Sequence, residues 1–202
     1  TGAYVMLSGL LKRLAVKLSK IASDIRLLSS GPQAGFCEIM LPPVQPGSSI
    51  MPGKVNPVIP EVVNQVCFQV IGNDVSVTFA AEAGQLELNV FVPLIAYNLL
   101  QDLTSMERAM DTFTRRCVSG ITANLERCRE FVCSAPGLLA VLSPRLGYER
   151  AAKLVHKAHQ EKRDIREILE EDGTISREEA NRLLDPESMI RPLRKTMPGD
   201  RN

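Results

Sequence analysis

An all-α fold is predicted, made of long helices of a central bundle plus a small C-terminal helical domain, and three observations carry that prediction. Aromatic residues are only 4% of the 202 residues and Trp is absent, so the core must be aliphatic, which suits helix-on-helix packing. Apolar residues recur at helical spacing from the start of the chain: Leu7, Leu10, Leu11, Leu14, Leu18, Ile21, Ile25 and Leu28. No stretch shows the apolar–polar alternation of a half-buried strand.

Residues 5–28 form the first predicted helix, with Lys12, Arg13, Lys17, Lys20 and Asp24 on its polar side and Gly31-Pro32 as its stop. Residues 31–60 then hold seven of the 13 prolines and four of the 13 glycines, a density that regular structure does not survive. This connection carries few charges and includes Phe36, Ile39, Met40, Leu41, Ile50 and Met51, the composition of an ordered loop and not of a linker. From 62 to 98 the only charged side chains are Asp74, Glu82 and Glu87. A helix that apolar has little face to show to water, and a chain of this size has too few other helices to cover it. Cover from other subunits is expected. Gly84 should break this helix, and a second should run from about Leu88 to Cys117, with Pro93 in its first turns or at a kink.

Beyond Gly120 the predicted helices shorten and become charged. Asn124 can cap one through Cys133, a second covers 148–160, and Ser176 with Glu179 makes a capping box for a last helix through Leu184. The Pro- and Arg-rich tail from Asp185 on is expected to be peripheral. The domain division is 1–121 for the bundle, with loop 31–60 inside it, and 122–202 for the small domain and tail.

Composition excludes several function classes. Lys+Arg 24 against Asp+Glu 23 leaves no basic footprint for nucleic acid and no polybasic cluster for an anionic membrane. The uncharged run 88–101 is shorter than the ~18–20 apolar residues of a membrane span. The first twenty residues lack the basic n-region and cleavage site of a secretory leader. The chain opens in helix-forming sequence without an initiator Met, which suggests a piece of a longer protein. Five scattered cysteines, an odd number, suit a reduced cytoplasmic compartment. His156 and His159 lack the intervening Glu and third ligand of a zinc site. Gly173, Ile175 and Glu179 fall at calcium-loop spacing, but the first ligand position would be Ile168, which cannot bind calcium. Cys128 and Cys133 lack partner cysteines at zinc spacing. No metal and no cofactor are expected.

The chemistry-bearing stretch is the centre of the loop, Gly47-Ser48-Ser49-Ile50-Met51-Pro52-Gly53-Lys54-Val55-Asn56-Pro57, with Glu61 at the following helix start. A Lys and an Asn a few residues from a Ser could hold a carboxylate while the Ser oxygen meets a substrate proton. Equally, Lys54 could be a solvated lysine, Asn56-Pro57 an ordinary turn, and Glu61 a residue favoured by the helix dipole.

This string resembles the signature G-S-S-x-M-P-x-K-x-N of the aspartase/fumarase superfamily, with every fixed position present. The resemblance extends from Thr1-Gly2-Ala3-Tyr4 through Leu27-Leu28-Ser29-Ser30-Gly31-Pro32 to Gly120-Ile121-Thr122-Ala123-Asn124 and the C-terminal domain. It implies an anti elimination that makes fumarate. Ser48 then matches the general base, which acts as an alkoxide on the proton beside a carboxylate. Lys54 and Asn56 match the groups that bind that carboxylate, Ser49 assists them, and Glu61 matches the acid that pairs with a histidine from another segment. The resemblance covers less than half of a full-length member and includes one of the three segments that meet at each site. It therefore implies a homotetramer with composite sites, a small C4 dicarboxylate substrate, and no turnover by this piece alone.

Within the superfamily, Val58-Ile59-Pro60-Glu61-Val62-Val63-Asn64-Gln65-Val66 and Ala81-Glu82-Ala83-Gly84-Gln85-Leu86 look like aspartases, which eliminate ammonia from L-aspartate. Fumarases tend to read Thr-Gln-Cys-Glu and Ser-Gly-Asn-Phe there. Gly53 and Asn89-Val90-Phe91 are at home in fumarases too, so a class II fumarate hydratase is the alternative. A non-catalytic truncated or structural homologue is a further one.

Overall fold

The computed structural model describes residues 1–45, 47, 55–134, 137–161 and 163–185. It divides into two compact units, Thr1–Asn124 and Leu125–Asn202.

The first unit is built on three long helices, α1 (Gly2–Leu28), α2 (Val58–Glu82) and α3 (Val92–Arg116). α2 packs against both of the others, while α1 and α3 touch only slightly. The side of α1 that meets α2 is a stripe of mostly small residues, Ser8, Leu11, Ala15, Ser19 and Ala22, at spacings of three and four. Small side chains let the two backbones approach closely, and Val63, Cys67, Val70 and Val77 of α2 fill the seam. On its other side α2 shares the core with Ile95, Leu99, Met106 and Phe113 of α3. Burial pushes the Cys67 and Cys117 thiols above their ordinary range, as expected for apolar surroundings.

Polar groups within these helices are paired. Ser8 Oγ donates to Asp74 Oδ1 at 2.7 Å and Lys12 Nζ to Asp74 Oδ2 at 2.9 Å, tying α1 to α2. Asn73 Nδ2 donates to Asp102 Oδ1 at 2.7 Å, tying α2 to α3. Burial alone would push the Asp74 carboxyl up, but the Ser8 and Lys12 hydrogen bonds and the Lys12 charge outweigh it and hold it below its usual range. Asp102 goes the other way. Burial raises it and the nearby Asp74 charge adds to that, only partly offset by the Asn73 hydrogen bond.

Two expectations about this unit need correction. The helix expected from about Leu88 starts at Val92, with Pro93 in its first turn. Residues between α2 and α3 are occupied by a compact connection in which Asn89 Nδ2 donates to the Ala80 and Ala81 carbonyls, at 2.9 and 3.3 Å. That side chain satisfies carbonyls left over at the end of α2, and its Oδ1 accepts from Phe91 N at 2.8 Å. Gly84 packs closely on this side chain, since a Cβ would lie 3.1 Å from Asn89 Nδ2 and would press on it. The second correction concerns residues 31–60, expected to hold no regular element. β1 (Ile39–Met40) pairs antiparallel with β2 (Thr122–Ala123), Ile39 opposite Ala123 and Met40 opposite Thr122. Its partner is over 80 residues away, so no local pattern announced it.

The chain itself covers only part of α2. Phe68 is 60% and Phe79 68% exposed, with Val62 and Val75 also open. No helix of the described residues is long and apolar enough to cross a membrane.

The second unit consists of short helices: α4 (Leu125–Ser134), α5 (Leu138–Leu146), α6 (Tyr148–Glu161), α7 (Ile165–Glu171) and α8 (Arg177–Leu183). Leu142, Leu154, Ile165, Ile168, Leu169 and Ile175 are at its core. α5 and α7 were not expected. Pro144 conceals α5 in the sequence, because a proline inside a helix removes an amide donor and reads as a breaker. α7 is a two-turn element capped by Asp164, whose Oδ1 accepts from Arg166 N at 2.8 Å. Half of the expected capping box forms. Ser176 Oγ accepts from Glu179 N at 3.2 Å, while the Glu179 carboxylate faces Arg145 at 3.3 Å. Residues 186–202 of the tail lie outside the described residues.

Asp74 supplies a pH-dependent test. A carboxyl held low in the folded state contributes stability above its unfolded value, and loses it as pH falls through the folded value. Asp74→Asn should therefore lower stability near neutral pH by roughly 1–2 kcal/mol, the range for losing charge-assisted bonds of which one is half-exposed. The difference from the parent should close in acid. Thermal melts across pH 3–8 check this, and a difference that persists undiminished at the acid end refutes the assignment.

Candidate active site

The loop that carries the signature is anchored at both ends. At its start the chain leaves α1 through a tight reversal. Cys37 N donates to Ser30 O at 2.7 Å and Glu38 N to Leu28 O at 2.9 Å, while Phe36 N donates to Ser30 Oγ at 3.2 Å. Gly35 makes the reversal possible, since a Cβ there would sit 2.4 Å from the Ser30 carbonyl carbon and oxygen. Gly31, at φ +137°, adopts a conformation that side chains rarely take. A shallow open depression is lined by Gly31, Pro32, Gln33 and Ala34.

Next, the β1–β2 ladder pins the outgoing strand to the segment after α3, and Asn124 N donates to Glu38 O at 2.8 Å. Pro42 sits against Gly120, where a Cβ would come within 2.5 Å of the proline Cγ. At the far end Asn56 Nδ2 donates to Gly47 O at 2.7 Å, which brings residues 47 and 56 together across the signature. A primary amide has two N–H donors and a carbonyl, so this bond engages one part of its capacity. α2 begins directly afterwards, and Glu61 N donates to Pro57 O at 3.1 Å in its first turn.

Of the five residues singled out in the sequence, Asn56 and Glu61 are described, and Ser48, Ser49 and Lys54 lie outside the described residues. Asn56 is at the loop's closure and Glu61 one turn into α2, so the two are on the same helix entry. Glu61 Oε1 faces Arg26 Nη2 at 3.8 Å, a partly exposed pair. Arg26 Nη1 donates to Asn64 Oδ1 at 3.2 Å. Asn64 is 2% exposed, and its Nδ2 donates to Ser19 O at 2.9 Å, Ser19 Oγ at 2.9 Å and Ser23 Oγ at 3.2 Å. Sequence reasoning missed Arg26 and Asn64. Asn64 did leave a signal, as an amide on the inward side of a nearly chargeless helix. Arg26 left none beyond its place in a helix's last turn. Among the described residues no group of three or more His, Cys, Asp or Glu could hold a metal ion.

The segment that carries the signature thus lies between two long bundle helices, α1 and α2, with a carboxylate in the first turn of the second. The family described as Lyase matches residues 1–72, and the one described as Fumarase C C-terminus matches residues 138–191. The chain belongs to the aspartase/fumarase superfamily. It is 55% identical over 192 residues to the aspartate ammonia-lyase of Helicobacter pylori, covering 95% of this chain and 41% of that relative. The aspartate ammonia-lyase of Pseudomonas aeruginosa is 54% identical over 191 residues, covering 95% and 40%. Among solved structures, the fumarate lyase:delta crystallin from Brucella melitensis bound to cobalt superposes with a TM-score of 0.90 at 55% identity, over 95% of this chain and 42% of that one. The class II fumarase from Schistosoma mansoni gives 0.79 at 40% identity, over 94% and 40%. The chain thus spans about two fifths of the length of the relatives it matches.

Proposed function

We propose that this chain is the C-terminal part of an aspartate ammonia-lyase, which eliminates ammonia from L-aspartate to give fumarate. The observation that carries the reading is the 55% identity to an aspartate ammonia-lyase over 95% of the chain, with the signature from Gly47 to Asn56 intact.

In this reading Ser48 removes the proton on the carbon beside a substrate carboxylate. The electrons of that C–H bond pass first into the carboxylate, giving an aci-carboxylate dianion. They then form the carbon–carbon double bond as the C–N bond breaks and ammonia leaves. Lys54 and Asn56 hold the carboxylate that gathers charge, so their donors count most at the transition state. Ser49 adds a contact to it. Glu61 pairs with a histidine carried by a segment outside this chain. The loop-closing bond from Asn56 to Gly47 supports this arrangement, because it holds the two ends of the signature near each other. A serine is a weak base at its free pKa, so in this reading it needs a charged or donor-rich setting in the complete site.

A fumarate hydratase is the second reading, favoured by the likeness to the Schistosoma mansoni fumarase and by Asn89-Val90-Phe91. In the complete enzyme, Ser48→Ala should cut turnover by about 10²–10⁴-fold, as expected for losing a general base, with substrate binding little changed. Lys54→Ala should weaken both binding and turnover, since its charge acts before and during the reaction. The kcat and KM for L-aspartate and for L-malate, measured separately, decide the rest. Dehydration of malate with aspartate inert makes the protein a fumarase, and near-normal turnover in Ser48→Ala removes the serine from the mechanism.

The exposed apolar residues of α2, Phe68, Val75 and Phe79, support cover of this helix by other subunits, and the family resemblance makes the proposed assembly a cytoplasmic homotetramer. Sedimentation of the full-length enzyme should show a tetramer, and a stable active monomer would contradict it. Because each site draws on three segments, the 202-residue chain alone should not make fumarate. Fumarate formation by the purified chain, free of host enzyme, would count against composite sites.

A further inference from the structure

The end of α1 and the start of α2 are joined by a polar chain that terminates at Glu61. Its root is Asn64, buried one turn beyond Glu61 and bonded through Nδ2 to the Ser19 carbonyl, the Ser19 hydroxyl and the Ser23 hydroxyl of α1. Asn64 Oδ1 accepts from Arg26 Nη1 at 3.2 Å, and Arg26 Nη2 stands 3.8 Å from Glu61 Oε1. A guanidinium is a rigid planar fork, so fixing one terminal nitrogen sets the direction of the other.

We propose that Arg26 is a positioning residue for Glu61, orienting its carboxylate so that Oε1 faces the guanidinium and Oε2 is presented to the imidazole it works with. This rests on the reading of Glu61 as the acid paired with a histidine from another segment. An ordinary surface pair samples many rotamers and orients nothing. Arg26 differs because its other end is held by a buried amide, itself bonded three ways to α1. The orientation is therefore inherited from the α1–α2 seam and not from the surface.

Arg26 also lies in the last turn of α1, where any positive charge favours the helix dipole. The two roles separate by substitution. Lys keeps the charge at the helix end but lacks a fork to span Asn64 and Glu61 together.

The test is a double-mutant cycle in the full-length enzyme with Arg26→Ala, Glu61→Gln and both together, following kcat and KM on the substrate that the parent turns over. Arg26→Ala should lower kcat by about 10–100-fold, the scale of a misplaced catalytic group, with KM near the parental value. The double variant should be no slower than Glu61→Gln alone, because the arginine acts only through that carboxylate. Added guanidinium should restore turnover to Arg26→Ala and not to the double variant. Arg26→Lys, which retains the charge at the helix end, goes through the same cycle as a guard against misfolding and should also fall below the parent. Parental kcat in Arg26→Ala or Arg26→Lys, or losses that add in the double variant, overturn the proposal while leaving Glu61 in its role. Parental turnover in Glu61→Gln instead removes the reading of Glu61, and the proposal with it.

Discussion

The close seam between α1 and α2 is the constraint on which the rest of the first unit depends. Ala15, Ser19 and Ala22 leave little side-chain volume between the two backbones, so Val63, Cys67 and Val70 reach into the surface of α1. Larger residues on that stripe would push the helices apart. The entry to α2, and with it Asn56 and Glu61, would then move relative to the end of α1.

An aliphatic seam by itself tolerates sliding, and here polar groups at two levels prevent it. Asp74 takes bonds from Ser8 and Lys12 near one end, and Asn64 gives bonds to Ser19 and Ser23 toward the other. Shifting one helix by a turn would leave these buried groups without partners, at a cost of about 1–3 kcal/mol each. Register and the candidate site are therefore linked, because the asparagine that locks the seam also holds the arginine facing Glu61. The long connection between the helices follows the same logic. Its first half is fastened by Gly35 against Ser30, by the β1–β2 ladder and by Pro42 against Gly120, and its second half closes through Asn56 on Gly47. What lies between those fastenings is the signature itself.

The helices of the first unit were legible because their apolar periodicity is local information. The small unit was less so, since α7 is only seven residues long and α5 contains Pro144, which reads as a breaker. The start of α3 was misplaced by four residues for a related reason. Leu88 and Val90 look helical in composition, but Asn89 turns back to bond the end of α2, and that bond depends on where α2 stops.

The sequence by itself determined that the chain is helical, that it carries the complete signature between Gly47 and Asn56, and which family it belongs to. These are properties of spacing and residue type along a single strand of information. Only the tertiary structure decided that Asn64 and Arg26 stand behind Glu61, that Asn56 reaches back to Gly47, and that residues 39–40 pair with residues 122–123. Those contacts join residues whose separation in the chain is nine at the least and more than eighty at the most. Hydrogen bonds and charge contacts act over a few ångströms of space, so they exist only once helix packing has brought such distant residues together.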